Sequence, residues 1–251
     1  MTTTDEPKLT RAIDAYDRLL ASVGNRAAEI EPRPVLVHWP HVGSAYDGTV
    51  IVGQALRGWD DKFPASSFRT PDGRALAIET ARARPDRSEP MDWIATHHVR
   101  TSPFWKTARI LVEALEPDHE SPWYARWCWL NLFPCAPDDP PENPAGALKE
   151  AQDPFVGELL AAHVDLLEAR RVVALVGPFW WPAAGPARLG DLRKLPRPLL
   201  RAGRDDSGRT WVVGWHPNGA SHRGWGPNRY AQLIVDTIRS MEHDDVEDGA
   251  P

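Results

Sequence analysis

Three polar side chains in this sequence lie at or near the ends of apolar runs, where they could act on a substrate. His216 and Gln54 each follow an apolar run directly, and Asn131 lies inside one. Imidazole and amide groups can donate hydrogen bonds to charge that develops in a reaction, and an amide within an apolar strand is costly unless it is used. Loops at the carboxyl ends of strands are where open α/β sheets place their sites. These three side chains are therefore the candidates for a site.

Apolar periodicity predicts the elements that position these side chains. Helical and β-branched apolar runs alternate along the chain, which indicates a central, mostly parallel sheet with helices on both faces, a three-layer α/β/α sandwich. We expect helices over 8–30, 103–116, 151–169 and after Trp225, strands over 35–40, 49–53, 127–133, 171–177 and 211–215, and irregular stretches over 64–90 and 178–208.

The length of 251 residues fits one α/β domain, which we place at 35–242. An N-terminal helical extension over 1–34 precedes it, and an acidic disordered tail over 243–251 follows it. No apolar run approaches the roughly 18 residues of a membrane span, and the N-terminus has no basic, apolar signal pattern. We therefore expect a cytoplasmic monomer with no membrane partner.

The charge and the cysteine count restrict the possible partners. The net charge of −6 argues against a broad DNA-coating surface. However, the segment after His216 carries Arg223 and Arg229 and no acid, so a local cationic patch is possible on an acidic protein. Cys128 and Cys135 are too few for a four-cysteine metal or iron–sulfur site, and neither a metal nor another cofactor is expected.

The segment around His216 resembles a known motif. The order His-Pro-Asn-Gly-Ala-Ser-His-Arg-Gly over 216–224 is similar to the His-Pro-Ser…His-Arg-Gly segment of the uracil-DNA glycosylase superfamily. Gln54 matches the Gly-Gln-Asp-Pro-type loop after the first core strand of that superfamily, and Asn131 matches its mid-chain, base-reading Asn. Residues 131–137 also resemble the Asn-x-x-x-Cys-x-Pro segment of a cluster-bearing branch, but the other cluster cysteines are absent. The resemblance covers residues 48–241.

This resemblance implies a sandwich fold of the uracil-DNA glycosylase type and a DNA glycosylase that flips a base out of the stack and hydrolyses its N-glycosidic bond. A neutral His216 would donate to the oxyanion that develops on the base. The loop after His216 would wedge into the gap. The implied base-binding residues are Gln54, Asn131, Trp59 and Arg57, and the implied DNA-binding residues are Asn218, Ser221, His222 and Arg223.

Two departures from the superfamily pattern bear on mechanism and substrate. Ala55 aligns with the water-activating Asp, so Asp60 or Asp61 is expected to take that catalytic role. Arg57 aligns with the Tyr that excludes 5-substituted pyrimidines in the uracil-specific branch. We therefore expect the substrate to be a damaged or modified pyrimidine, with a bulky 5-substituent as in phage DNA as one hypothesis. The role would be DNA repair or defence against phage.

Two other functions stay open at this point. The chain could be a catalytically silent member that only binds nucleic acid, consistent with Ala55. It could also be an unrelated α/β enzyme acting on a nucleoside or nucleotide. The chain has no Gly-x-Gly-x-x-Gly or phosphate-loop sequence, which disfavours a dinucleotide or nucleoside triphosphate.

Overall fold

A computed structural model describes residues 5–55, 61–83, 92, 94, 101–138, 143–177, 179–181, 192–194 and 200–248. The helices among them are α1 (Glu6–Asn25), α2 (Ala27–Ile30), α3 (Pro71–Ala83), α4 (Pro103–Leu115), α5 (Gly146–Gln152), α6 (Val156–Leu166), α7 (Pro217–Ser221) and α8 (Pro227–Asp248). The strands are β1 (Val35–Val37), β2 (His41–Val42), β3 (Thr49–Ala55), β4 (Lys62–Phe63), β5 (Trp127–Phe133), β6 (Cys135–Pro137), β7 (Arg171–Leu175), β8 (Arg193–Lys194), β9 (Leu200–Arg204) and β10 (Thr210–Gly214).

The main sheet has seven strands in the order β2-β5-β3-β7-β10-β9-β8. Its four central strands, β5, β3, β7 and β10, are parallel, whereas the pairs β2–β5, β10–β9 and β9–β8 are antiparallel. A second, antiparallel sheet has the order β4-β1-β6. The prediction of an α/β fold around a mostly parallel sheet is confirmed.

Helices cover both faces of the main sheet. Successive residues of the central strands alternate between two apolar clusters, so that Val50 and Val52 belong to one cluster and Ile51 to the other. This alternation is expected because side chains along a strand point to opposite faces. α1 and α6 contribute to the first cluster, and α4 and α8 contribute to the second. The two-sided burial agrees with the predicted α/β sandwich.

Several boundaries differ from the sequence prediction, each for a local reason. The predicted helix over 151–169 covers only the last two residues of α5 and all of α6, and Pro154 between the two helices cannot continue a helix. Part of the predicted irregular stretch over 178–208 is β9, which forms an antiparallel hairpin with β10. Asp205 closes that hairpin, because its Oδ1 accepts from the backbone N–H groups of Ser207 and Arg209.

The two terminal helices also differ from the predicted domain boundaries. α1 is part of the main core, since Tyr16, Leu19 and Leu20 on its apolar face are fully buried. The hydroxyl of Tyr16 donates to the carbonyl of His38 at 2.7 Å. α8 continues to Asp248, past the predicted boundary at residue 242. Among the described residues, no helix is both long and apolar enough to cross a membrane.

Candidate active site at the carboxyl edge of the sheet

The parallel register brings three strand ends to the same edge of the sheet. Gly53 of β3 lies opposite Asn131 of β5, and Gly214 of β10 lies opposite Leu175 of β7. Gln54 and His216 follow Gly53 and Gly214 by one and two residues, respectively. The three side chains predicted from the sequence therefore belong to one edge.

The Asn131 amide is the most unusual polar group at this edge. The residue is only 4% exposed, and its Nδ2 has no hydrogen-bond partner among the described residues. Its Oδ1 lies so close to Gly53 that a Cβ at that position would approach it to 2.8 Å. A buried donor without a partner costs about 1–3 kcal/mol. Among the described residues, the fold therefore leaves this donor unsatisfied, with the Oδ1 tip of the same side chain close to Gly53.

His216 has a defined tautomer when its ring is neutral. It is the N-cap of α7, and its Nδ1 accepts from the backbone N–H of Asn218 at 3.3 Å. A neutral imidazole with Nδ1 as acceptor carries its proton on Nε2, which is then a donor. The ring is half-buried and stacks on Phe104, with centroids 6.1 Å apart and planes at 12°. The cap hydrogen bond thus makes Nε2 the donor whenever the ring is neutral.

Phe104 connects the two halves of the site. Besides stacking on His216, its Cζ would be 3.4 Å from a Cβ at Gly53. Trp105 packs edge-on against the Phe104 ring and against Trp129 of β5. Phe104 lies in the helix that the sequence predicts over 103–116, but helical periodicity does not distinguish a site aromatic from a core aromatic.

The turn that leads into His216 is held from two sides. The buried hydroxyl of Tyr230, on α8, donates to the carbonyl of Trp215 at 2.8 Å. The N–H of Gly177 donates to the carbonyl of Gly214 at 2.7 Å and so joins the ends of β7 and β10. Gly177 has a positive φ of 86°, which favours glycine. These contacts fix the direction in which His216 leaves the sheet.

Gln54 uses its amide within the protein. Its Nε2 donates to the carbonyl of Val176 at 2.7 Å, and its Oε1 accepts from Nδ2 of Asn143 at 3.2 Å. The side chain therefore connects β3 to the segments that follow β7 and precede α5. This geometry makes Gln54 a residue that positions neighbouring loops, and the partner Asn143 was not identified from the sequence.

Of the remaining predicted catalytic and base-binding residues, the structure describes only Asp61. Arg57, Trp59 and Asp60 lie outside the described residues. Asp61 is half-buried and immediately precedes β4 in the smaller sheet. β6 of that sheet follows β5 after one residue, so Asp61 adjoins a sheet that continues from the strand carrying Asn131.

The predicted DNA-binding residues Asn218, Ser221, His222 and Arg223 are all exposed. A Gly-rich loop was predicted here, but residues 217–221 form the short helix α7, since His216 caps it and Pro217 suits its first turn. The Arg223 guanidinium lies 3.8 Å from the centroid of the Trp215 ring and donates to the carbonyl of Gly219.

Neither cysteine takes part in this site. Cys128 and Cys135 are fully buried free thiols, and burial raises the pKa of both. Both belong to the apolar cluster formed with α1 and α6, on the opposite face of the sheet from Phe104. Among the residues that the structure describes, no group of three or more His, Cys, Asp or Glu side chains could hold a metal ion.

Comparison of the chain with models of known protein families and with curated proteins finds no match.

Proposed function

We propose that this protein is a DNA glycosylase of the uracil-DNA glycosylase type, which hydrolyses the N-glycosidic bond of a flipped pyrimidine and leaves an abasic site. The observation that supports this most directly is the buried Nδ2 donor of Asn131, which has no partner among the described residues and lies at the same sheet edge as His216. A sheet edge that carries an amide donor and an imidazole, which donates through Nε2 when neutral, suits a ligand that presents carbonyl acceptors. The edge of a pyrimidine base has such acceptors.

The reaction makes a specific demand on these donors. When the bond between C1′ of the sugar and the base nitrogen breaks, the electron pair stays on the base, and its charge is delocalised onto the carbonyl oxygens. Water then adds its oxygen to C1′ and releases a proton. A donor positioned for the developing oxyanion lowers the barrier because it interacts more strongly with the anion than with the neutral base. In this proposal, His216 Nε2–H donates to that oxygen and Asn131 Nδ2 reads the base edge.

Other residues take supporting roles. Phe104 provides an aromatic wall beside His216, and Gln54 positions the loops around the base through its two hydrogen bonds. Ala55, at the end of β3, cannot activate water, so we assign that role to Asp60 or Asp61. Arg57 at the position of an excluding Tyr supports a pyrimidine with a 5-substituent as substrate.

Base release from a panel of DNA substrates tests this proposal. The panel contains uracil, a thymine mismatch, 5-hydroxymethylcytosine and glucosylated cytosine, and alkali converts each abasic site to a strand break. We expect release of one base and a loss of about 10²–10³-fold in His216→Ala, the usual effect of removing an oxyanion donor. Asn131→Ala is expected to lose release as well.

A matched control separates chemistry from folding. His119 also accepts a backbone N–H two residues ahead, from Ser121 to Nδ1 at 3.0 Å. It precedes β5 and so lies at the amino edge of the sheet, away from His216. His119→Ala should therefore retain full activity. Equal losses in both histidine variants would contradict the proposed role of His216. Release of base from free nucleosides would instead favour a nucleoside-acting enzyme.

A silent nucleic-acid-binding protein is the second candidate, and Ala55 is the observation that favours it. In that case the wild-type protein binds DNA tightly and releases no base from any member of the panel.

A further inference from the structure

The three aromatic residues of the turn after β7 differ in exposure to solvent. Trp181 is buried and packs edge-on against Trp211 of β10, with centroids 5.9 Å apart. Trp180 packs against Phe133 at the end of β5, with centroids 5.5 Å apart. Phe179, immediately before them, is 82% exposed. Two aromatic residues thus anchor the turn to the core while the third is presented to solvent.

Phe179 is also fixed relative to His216. Its ring packs edge-on against Trp215, with centroids 5.6 Å apart and planes at 74°, and Trp215 directly precedes His216. The guanidinium of Arg223 lies over the same indole ring. We call Phe179, Trp215 and Arg223 the aromatic–cation cluster. It lies beside the residue to which we assign oxyanion stabilisation.

The chain around this cluster contains no acid. No Asp or Glu occurs over 169–190 or over 207–235, although the whole protein has a net charge of −6. A second pairing of the same type follows in the chain, since the guanidinium of Arg229 lies 4.3 Å from the centroid of the Trp225 ring. One exposed ring, Phe179, and two half-buried indole rings beside cations, without nearby acids in the sequence, complement the bases and phosphates of nucleic acid.

We propose that Phe179 is the residue that enters the DNA base stack when the substrate base leaves it. The loop after His216 was the sequence-based expectation for such a wedge. However, that segment is α7, whose exposed residues Asn218 and Ser221 are small and polar. Phe179 is instead a large apolar side chain packed against Trp215, the residue before His216. This inference rests on the proposed function in one respect only, namely that DNA is the ligand.

Binding of two DNA duplexes tests the inference. One duplex contains a tetrahydrofuran abasic analogue, which leaves a gap in the stack, and the other is intact but otherwise identical. Affinity is measured by fluorescence anisotropy at several salt concentrations. We expect the wild-type protein to prefer the gapped duplex and Phe179→Ala to lose about tenfold of that preference, as for removal of one stacked aromatic ring. Its salt dependence should be unchanged because no phosphate contact is lost.

Two further variants complete the design. Leu76 of α3 is the other strongly exposed large apolar residue of the described chain, at 59% exposure, and Leu76→Ala should keep the preference. Phe179→Trp should keep it too, because a larger ring still stacks. An equal preference in wild type and Phe179→Ala, an equal loss in Leu76→Ala, or no preference in the wild type would overturn the inference.

This experiment does not depend on catalysis, so the two proposals fail separately. If the wild-type protein prefers the gapped duplex through Phe179 but releases no base, the wedge is supported and the glycosylase is refuted. If it releases base and Phe179→Ala keeps the gap preference, the glycosylase is supported and the wedge is refuted.

Discussion

Replacing Asn131 with leucine should separate function from stability at this site. The variant removes the buried Nδ2 donor that has no partner among the described residues, which recovers about 1–3 kcal/mol of desolvation cost. The larger methyl group near Gly53, where Oδ1 already fits closely, should cost about 1 kcal/mol of overpacking. We therefore expect the free energy of unfolding to stay the same or to rise by up to about 2 kcal/mol. Base release should fall at least about 100-fold.

Gln152 provides the matched control, since it is also a fully buried carboxamide. Its Oε1 accepts from the N–H of Cys135 at 2.9 Å, and its Nε2 donates to the carbonyls of Cys135 and Leu148. Gln152→Leu leaves the backbone groups of Cys135 without these partners. We expect that variant to lose about 2–6 kcal/mol of stability, from two unsatisfied groups at about 1–3 kcal/mol each.

The assay combines urea unfolding with base release on the same preparations. Linear extrapolation gives the free energy of unfolding of wild type, Asn131→Leu and Gln152→Leu. If Asn131→Leu loses as much stability as Gln152→Leu, the Asn131 amide is a structural group and the reasoning is refuted. Retention of base release by a folded Asn131→Leu would refute it as well.

Three other changes should have distinct effects. In Gly53→Ala the new Cβ would meet Asn131 Oδ1 at 2.8 Å, so kinetics should show reduced base release while thermal unfolding changes little, because a side-chain tip can move. Tyr230→Phe removes the donor to Trp215, and we expect a loss of about 0.5–1.5 kcal/mol in urea unfolding together with slower base release. Burial lowers the pKa of His163 to about 3, so the unfolded chain binds a proton that the folded chain does not, and stability falls as pH decreases from about 6.5 towards 3. His163→Phe should therefore gain about 2–3 kcal/mol relative to wild type between pH 7 and 4.5, and a pH-independent difference in urea unfolding would contradict this.

The sequence by itself determined the main elements and the edge of the site. Helical periodicity and β-branched runs are local properties, and they were sufficient to place the four central strands and the helices α1, α4 and α8. Once these strands are parallel, their carboxyl ends must share one edge, so Asn131 and His216 were correctly placed at a common edge. Local signals also failed locally, as at Pro154, where one helix was predicted and two occur.

Only the tertiary structure decided which polar groups have partners and which side chains are exposed. Gln54 and Asn131 are both amides on neighbouring strands, yet one is hydrogen-bonded at both ends and the other has an unpartnered Nδ2 among the described residues. Likewise, nothing local distinguishes Phe179 from Trp180 and Trp181. Periodicity gives the face on which a residue lies, whereas partners and exposure depend on segments that are distant in the chain and meet only when it folds.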